Sequence, residues 1–233
     1  MNKLENAIND AKAFGDALKS LNFEVLAKFN LSRSGMIKCL GKAAQDWRFH
    51  ASEVVIYYSG HGISIGTYAS LRLQLILISN PIILCLDGMV HLVPIDAEES
   101  SSKMAFKESL LSLERIVGIF LESRETKELP IIAILDCCRT ENKAGAIFKG
   151  ESFQGTSLEF GREANIAILY STAQGQVAMD GSGQNSPYTK ILLESLVKGS
   201  TVSEINHEIT ARLTSSSQQV GYYISSFFFP PST

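Results

Sequence analysis

Three short, continuously apolar segments constrain this 233-residue chain more than any other feature. They occupy residues 53–58 (EVVIYY), 130–135 (PIIAIL) and 165–170 (NIAILY), and none alternates polar with apolar side chains. Strands of this kind are buried on both faces, as in a parallel sheet covered by helices. Helix-like periodicity occurs between them, so we expect an α/β fold with a mainly parallel β-sheet flanked by helices on both faces.

The first helix is the clearest, because apolar residues recur at spacings of three and four over residues 4–21. A short apolar strand is expected at 23–27. The remaining helices are expected at about 32–46, 106–123, 187–198 and 202–214. No internal repeat or long linker is visible, which indicates one domain.

Composition excludes several classes of function. Hydrophobic residues make up 45% and charged residues 19%, and the net charge of -3 comes with no basic stripe, so a nucleic-acid partner is not expected. Residues 71–86 are strongly apolar, but they contain Arg72 and Pro81 and are short for a bilayer span, so no membrane partner is expected. The four cysteines show no CxxC spacing and no secretory signal precedes them, which favours reduced thiols in the cytoplasm.

Two of the expected strands run into residues that can do chemistry. One continues into Ser59-Gly60-His61-Gly62, and the other into Asp136-Cys137-Cys138-Arg139. Sites in parallel sheets form at the carboxyl ends of the strands, and a thiol with an imidazole is the minimal equipment of a cysteine protease. A lone histidine or cysteine is often structural, and spacing alone does not say which of the two cysteines faces the site.

Four motifs, in order, carry a family resemblance. They are YYSGHG at 57–62, LVPIDA at 92–97, LDCCRT at 135–140 and the block YSTAQGQVAMDGSGQNSPYTKILLESL at 170–196. The set resembles the caspase-like cysteine peptidases (peptidase C14), especially the paracaspases and metacaspases. The resemblance implies a caspase-like three-layer sandwich acting on proteins or peptides. It implies that Cys138 is the nucleophile and His61 its base, with the backbone N–H groups of Gly62 and Cys138 as the oxyanion hole.

The resemblance also suggests a substrate preference. Asp136 lies two residues before the nucleophile, and NAINDA matches the family's A-x-x-D-A block through Asp10; Asp180 is a weaker candidate for the same S1 pocket. Two carboxylates in one pocket repel each other unless a cation joins them, and a substrate Arg or Lys supplies that cation. No acidic calcium-binding cluster is visible, so neither a metal nor another cofactor is inferred.

The chain departs from the family pattern in three places. It starts at the helix, so the family's first strand is expected to be missing. His61 and Cys138 lie 77 residues apart (138 minus 61) rather than the usual roughly 50. The excess coincides with 66–86, interpreted as a retained intron in a gene model or as a genuine surface insertion in a peptidase domain over 1–219. Residues 220–233 form an atypical C-terminal tail. These departures leave a second hypothesis, a caspase-like scaffold or binding domain without activity. The oligomeric state is not predicted.

Overall fold

The computed structural model describes residues 4–65, 89–97, 103–123, 130–139, 165–173, 176–196, 200–215 and 222–225. Its helices are α1 (Ala7–Ser20), α2 (Arg33–Trp47), α3 (Lys103–Ser109), α4 (Leu113–Glu122), α5 (Pro187–Ser195) and α6 (Val202–Ser215). Its strands are β1 (Val54–Gly60), β2 (Gly62–Ile65), β3 (Met89–Leu92), β4 (Leu111–Ser112), β5 (Ile131–Cys137), β6 (Ile166–Tyr170) and β7 (Tyr222–Ser225).

The main sheet has the strand order β1–β5–β6–β7. The first three strands are parallel, with Val54 opposite Ile131 and Ile131 opposite Ile166, and β7 runs antiparallel to β6. These three parallel strands are the three apolar segments of the sequence. The predicted α/β class with a mainly parallel sheet is therefore confirmed.

Helices cover both faces of this sheet. Side chains alternate between the faces along a strand. Ile132 and Ile134 of β5 therefore pack in one core cluster with α1, α5 and α6, whereas Ile131, Ala133 and Leu135 pack in another with α2 and α4. Every residue of β5 is buried as a result. The predicted flanking of the sheet by helices on both faces is thus confirmed.

A second, antiparallel sheet of order β2–β3–β4 follows directly from β1. The sequence patterns do not predict this sheet, and the single helix expected over 106–123 is wrong. α3 ends at Ser109, and Leu111–Ser112 pairs with β3 before the chain turns into α4. The Ser112 hydroxyl accepts the Arg115 N–H at 3.2 Å, which gives α4 its own N-cap.

The outer edge of β1 has no strand beside it among the described residues. The expectation that the family's first strand is missing stays a prediction. The strand expected over 23–27 is wrong, because the segment between α1 and α2 has no ladder partner. Its side chains nevertheless alternate between half-buried and exposed from Leu21 to Leu26, the pattern of an extended chain.

Two expected segments fall partly or wholly outside this description. Residues 66–86, interpreted as an insertion, lie outside the described residues. The segment set apart as a tail, 220–233, contains β7, which pairs with β6 through Tyr170 opposite Tyr222. Within the described part of the chain, no helix has the length and apolar character that crossing a membrane requires.

Candidate active site

The register of β1 and β5 brings the two chemically capable loops to one edge of the sheet. Gly60 is the last paired residue of β1 and lies opposite Cys137, the last residue of β5. His61 and Cys138 are therefore the next residues along two neighbouring parallel strands. The arrangement follows from pairing alone, since parallel strands that start in register also end together.

The two adjacent cysteines differ in exposure. Cys137 is completely buried in the core beside α2 and α4, and burial raises the pKa of its thiol well above the usual range. Cys138 is half-buried, and its Sγ lies 4.0 Å from the carbonyl oxygen of Ala178. Because the thiolate is the reactive form, burial and a raised pKa make Cys137 a poor nucleophile. Cys138 is the more accessible thiol of the two.

Gly62 makes the close approach between the two loops possible. A Cβ atom at this position would lie 2.6 Å from the Cys137 Sγ and 2.7 Å from the Cys138 carbonyl oxygen, distances that only glycine avoids. The neighbouring backbone is held as well. The His61 carbonyl accepts the Tyr58 hydroxyl at 2.8 Å and the Val93 N–H at 3.1 Å.

Asp136 lies at the end of β5, 4% exposed, just before the cysteine pair. Its carboxylate accepts hydrogen bonds from the Ser186 hydroxyl and, at 2.8 Å, from the Thr189 hydroxyl. The Tyr57 hydroxyl lies 2.6 Å from the same Thr189 oxygen. Burial raises the pKa of Asp136 to about 6 in spite of these bonds.

Asp10 approaches the same place from α1 and is 1% exposed. It accepts hydrogen bonds from the Asn185 side chain (2.9 Å), the Ser186 N–H (3.0 Å) and the Ser59 hydroxyl (3.2 Å). Burial raises its pKa, and the three bonds oppose that rise. Ser186 donates its N–H to Asp10 and its hydroxyl to Asp136, so one residue links the two carboxylates.

Asp180 performs a different task. Its carboxylate accepts the N–H groups of Glu5 (2.8 Å) and Asn6 (3.3 Å), and its carbonyl accepts the Asn6 side-chain amide at 2.5 Å. The carboxylate therefore holds the two residues that precede α1 and lies beside the N-terminal end of this helix, where negative charge is favourable. Asp180 supports the helix that carries Asp10, and its charge also raises the Asp10 pKa.

Sequence reasoning missed the residues that connect these groups. The Ser186-Pro187 pair is the usual start of a helix, and the structure uses Ser186 as the N-cap of α5. That signal predicts the helix but not the bridge between carboxylates. The structural role of Arg139 was also missed. Its guanidinium lies 3.9 Å from the centre of the Tyr170 ring, and its backbone N–H donates to the Gln176 carbonyl at 3.0 Å. Both contacts anchor the loop that carries Cys138.

Comparison with known proteins gives a family and a fold. A family model described as the caspase domain of peptidase C14 matches residues 1–228. A crystal structure of a protein from Geobacter sulfurreducens superimposes with a TM-score of 0.64 at 16% identity, covering 98% of this chain and 87% of that one. This likeness is one of fold alone. No curated protein matches the sequence.

Proposed function

Because the chain belongs to the caspase-domain family of peptidases, we propose that it is a cysteine endopeptidase in which Cys138 is the nucleophile and His61 the general base. Family membership supports cysteine-peptidase-type function in general. The observation that carries the specific proposal is the register of Gly60 with Cys137. It makes His61 and the accessible thiol of Cys138 neighbours at the carboxyl edge of a buried sheet.

In the proposed reaction, His61 takes the proton of the Cys138 thiol, and the sulfur attacks the carbonyl carbon of the scissile peptide bond. The tetrahedral intermediate collapses as His61 returns the proton to the departing amine. The acyl group then remains on sulfur as a thioester. Water, deprotonated by His61, hydrolyses this thioester and restores the thiol.

Two backbone N–H groups are proposed to stabilise the oxyanion, those of Gly62 and Cys138. The fit of Gly62 against the Cys138 loop supports this assignment, since the loops are in contact where such donors would have to converge. Anchoring of the loop by Arg139 on Tyr170 supports a fixed position for the second donor.

Cleavage is proposed to follow Arg or Lys, with Asp10 and Asp136 recognising the cation. Both carboxylates are buried, both have raised pKa values and both accept a hydrogen bond from Ser186. They therefore lie close together, and their negative charges repel each other when both are ionised. A guanidinium placed there would relieve that repulsion, whereas a substrate carboxylate would add to it. Asp180 is proposed to act on this preference only indirectly, through α1.

Two fluorogenic peptides that differ only at P1, Arg in one and Asp in the other, test this function. We expect turnover of the Arg peptide and little of the Asp peptide. Asp136→Asn should reduce cleavage of the Arg peptide more than it reduces the reaction of Cys138 with a small uncharged alkylating agent. Preference for Asp at P1 would overturn the assignment of the acidic cluster.

A caspase-like scaffold or binding domain without activity is the second candidate. Two observations favour it: protein donors already surround both carboxylates, and no described strand completes the outer edge of β1. Turnover of neither peptide, together with an unreactive Cys138, would select this candidate over the peptidase.

The proposed partners are protein or peptide substrates, and the proposed location is the cytoplasm. The free thiols of Cys39, Cys137 and Cys138 support a reducing compartment, because an oxidised Cys138 could not act as a nucleophile.

A further inference from the structure

The peptide unit that joins His61 to Gly62 lies where the two sheets of the molecule meet. β1 ends at Gly60 and β2 begins at Gly62, so His61 stands between the two strands. A peptide unit is planar and trans, so its carbonyl oxygen and its N–H group point in opposite directions. Any contact that fixes the His61 carbonyl therefore also fixes the direction of the Gly62 N–H.

The pairing of β2 with β3 directs the Gly62 N–H away from β3. The His61 carbonyl accepts the Val93 N–H at 3.1 Å, which makes these two residues a hydrogen-bonded pair of the antiparallel ladder. Gly62 stands opposite Leu92 in the next pair, where the backbone groups turn away from the partner strand. Its N–H thus points to the outer edge of β2, the edge strand of the described three-stranded sheet.

A tyrosine of β1 holds the same carbonyl from a second direction. The Tyr58 hydroxyl donates to the His61 carbonyl at 2.8 Å and lies 3.4 Å from the Val93 carbonyl. The His61 oxygen therefore has two donors, a backbone N–H after β3 and a side chain of β1. Burial raises the pKa of Tyr58, so the hydroxyl keeps its proton and remains a donor near neutral pH.

Gly60 makes room for this contact. Tyr58 and Gly60 lie on the same face of β1, and a Cβ atom at residue 60 would lie 2.6 Å from the Tyr58 hydroxyl oxygen and 2.7 Å from its Cζ. The end of the ring therefore lies against the Gly60 backbone, where only a glycine leaves space for it. The glycine before His61 admits the tyrosine, and the glycine after His61 admits the Cys138 loop.

We propose that Tyr58 is a positioning residue for the oxyanion hole, because its hydroxyl holds the His61–Gly62 peptide with the Gly62 N–H directed at the carbonyl oxygen of the scissile bond. The inference rests on the proposed function, in which this N–H is one of two oxyanion donors. When the Cys138 sulfur attacks the carbonyl carbon, the π electrons of the C=O bond move to oxygen. A misdirected Gly62 N–H would leave that charge with a single donor, the N–H of Cys138.

Tyr58→Phe tests the proposal, because it removes the hydroxyl and keeps the ring. The kcat for the Arg peptide should fall by about tenfold to a hundredfold with KM changed less than about twofold, since the oxyanion is absent from the ground state. A peptide aldehyde with Arg at P1 is the second probe. Its carbonyl oxygen becomes an oxyanion when the Cys138 sulfur adds to the carbonyl carbon, so its affinity should fall by a similar factor.

Alkylation of Cys138 by iodoacetamide separates a misdirected N–H from a general disturbance of the site. This reaction forms a C–S bond and expels iodide without producing an oxyanion, so its rate and pH profile should stay within about twofold of wild type. Tyr188→Phe is the matched control. It removes a buried hydroxyl that has no hydrogen-bond partner among the described residues, and it should leave all three measurements unchanged.

Three outcomes would overturn the proposal. Equal kcat and equal aldehyde affinity in wild type and Tyr58→Phe would show that the hydroxyl does not position the N–H, while the peptidase assignment would stand. Alkylation slowed as much as turnover would show that Tyr58 acts on the thiol and its base instead. A wild-type protein that neither cleaves the Arg peptide nor binds the aldehyde would remove the proposed function, and the positioning role with it.

Discussion

The two sides of β1 differ although one strand supplies both. On the inner side, seven residues pair in register with β5, and the paired ends lead to His61 and Cys138. On the outer side the same strand borders two cavities, of about 510 and 500 Å³, and has no described strand beside it. Local sequence makes β1 a strand, but its neighbours decide what each side does. The paired side fixes the position of the reactive groups, whereas the open side lies against cavities lined by α1, α2 and the segment between them.

The largest effect should come from the paired side. His61→Ala should lower turnover of the Arg peptide by about a hundredfold to ten-thousandfold, because a thiol without its base is a poor nucleophile near neutral pH. Circular dichroism should show an intact fold. His207→Ala, at an exposed position of α6, is the control and should keep normal turnover. Near-normal turnover in a well-folded His61→Ala protein would remove the histidine from the mechanism.

Two core substitutions compare a side chain on a strand that is paired on both sides with a side chain on β1, which is paired on one side among the described residues. Ile134→Ala removes a buried side chain from β5, which has strands on both sides, and should cost about 2–5 kcal/mol of unfolding free energy. Ile56→Ala makes the same change in β1, where the side chain is only half-buried, and should cost less. Urea denaturation gives both values. Equal costs would mean that Ile56 is as tightly packed as Ile134 despite its greater exposure.

The buried Asp136 should make stability depend on pH. Its folded-state pKa of about 6 lies above the ordinary aspartate value of 3.8, so folding favours the protonated form. The stabilisation is complete below about pH 4 and is lost as pH rises through about 6. Across that interval, wild type should lose about 3 kcal/mol relative to Asp136→Asn, which does not titrate. Unfolding free energies measured at pH 4 to 7 test this; parallel curves for the two proteins would contradict it.

The smallest effect should come from α2, which lines the cavities beside β1 through Met36 and Trp47. Gly41 lies inside this helix, and a Cβ added there would meet no atom within 4 Å. Gly41→Ala should therefore stabilise the protein by about 1 kcal/mol through reduced freedom of the unfolded chain and better helix propensity. Thermal denaturation measures the change. A destabilised variant would show that α2 needs the freedom of glycine at this position.

Sequence reasoning succeeded where the signal was local and strong. The segments EVVIYY, PIIAIL and NIAILY became the three parallel strands, because a continuous apolar run between helices has few alternatives. It failed at Phe23–Ala27, where strand-like residues lack a ladder partner, since a strand needs a neighbour as well as a suitable sequence.

The candidate site shows the same limit. The order of the motifs identified His61, Asp10 and Asp136 as candidate site residues. No local pattern shows that Ser186 donates hydrogen bonds to two carboxylates that lie 126 positions apart in the chain (136 minus 10). The difference in burial between Cys137 and Cys138 also depends on long-range packing: β5 ends under α2 and α4, and only the first cysteine faces that core. Alternation along the strand alone left that choice open.

The most direct test of the proposed catalytic centre is the site of covalent labelling. An irreversible electrophile carried on a peptide with Arg at P1 is incubated with wild type, Cys138→Ala and Cys137→Ala, and the modified residue is located by fragmentation mass spectrometry. The account predicts an adduct on Cys138 in wild type, none in Cys138→Ala and retained labelling in Cys137→Ala. Labelling that persists in Cys138→Ala and disappears in Cys137→Ala would contradict it.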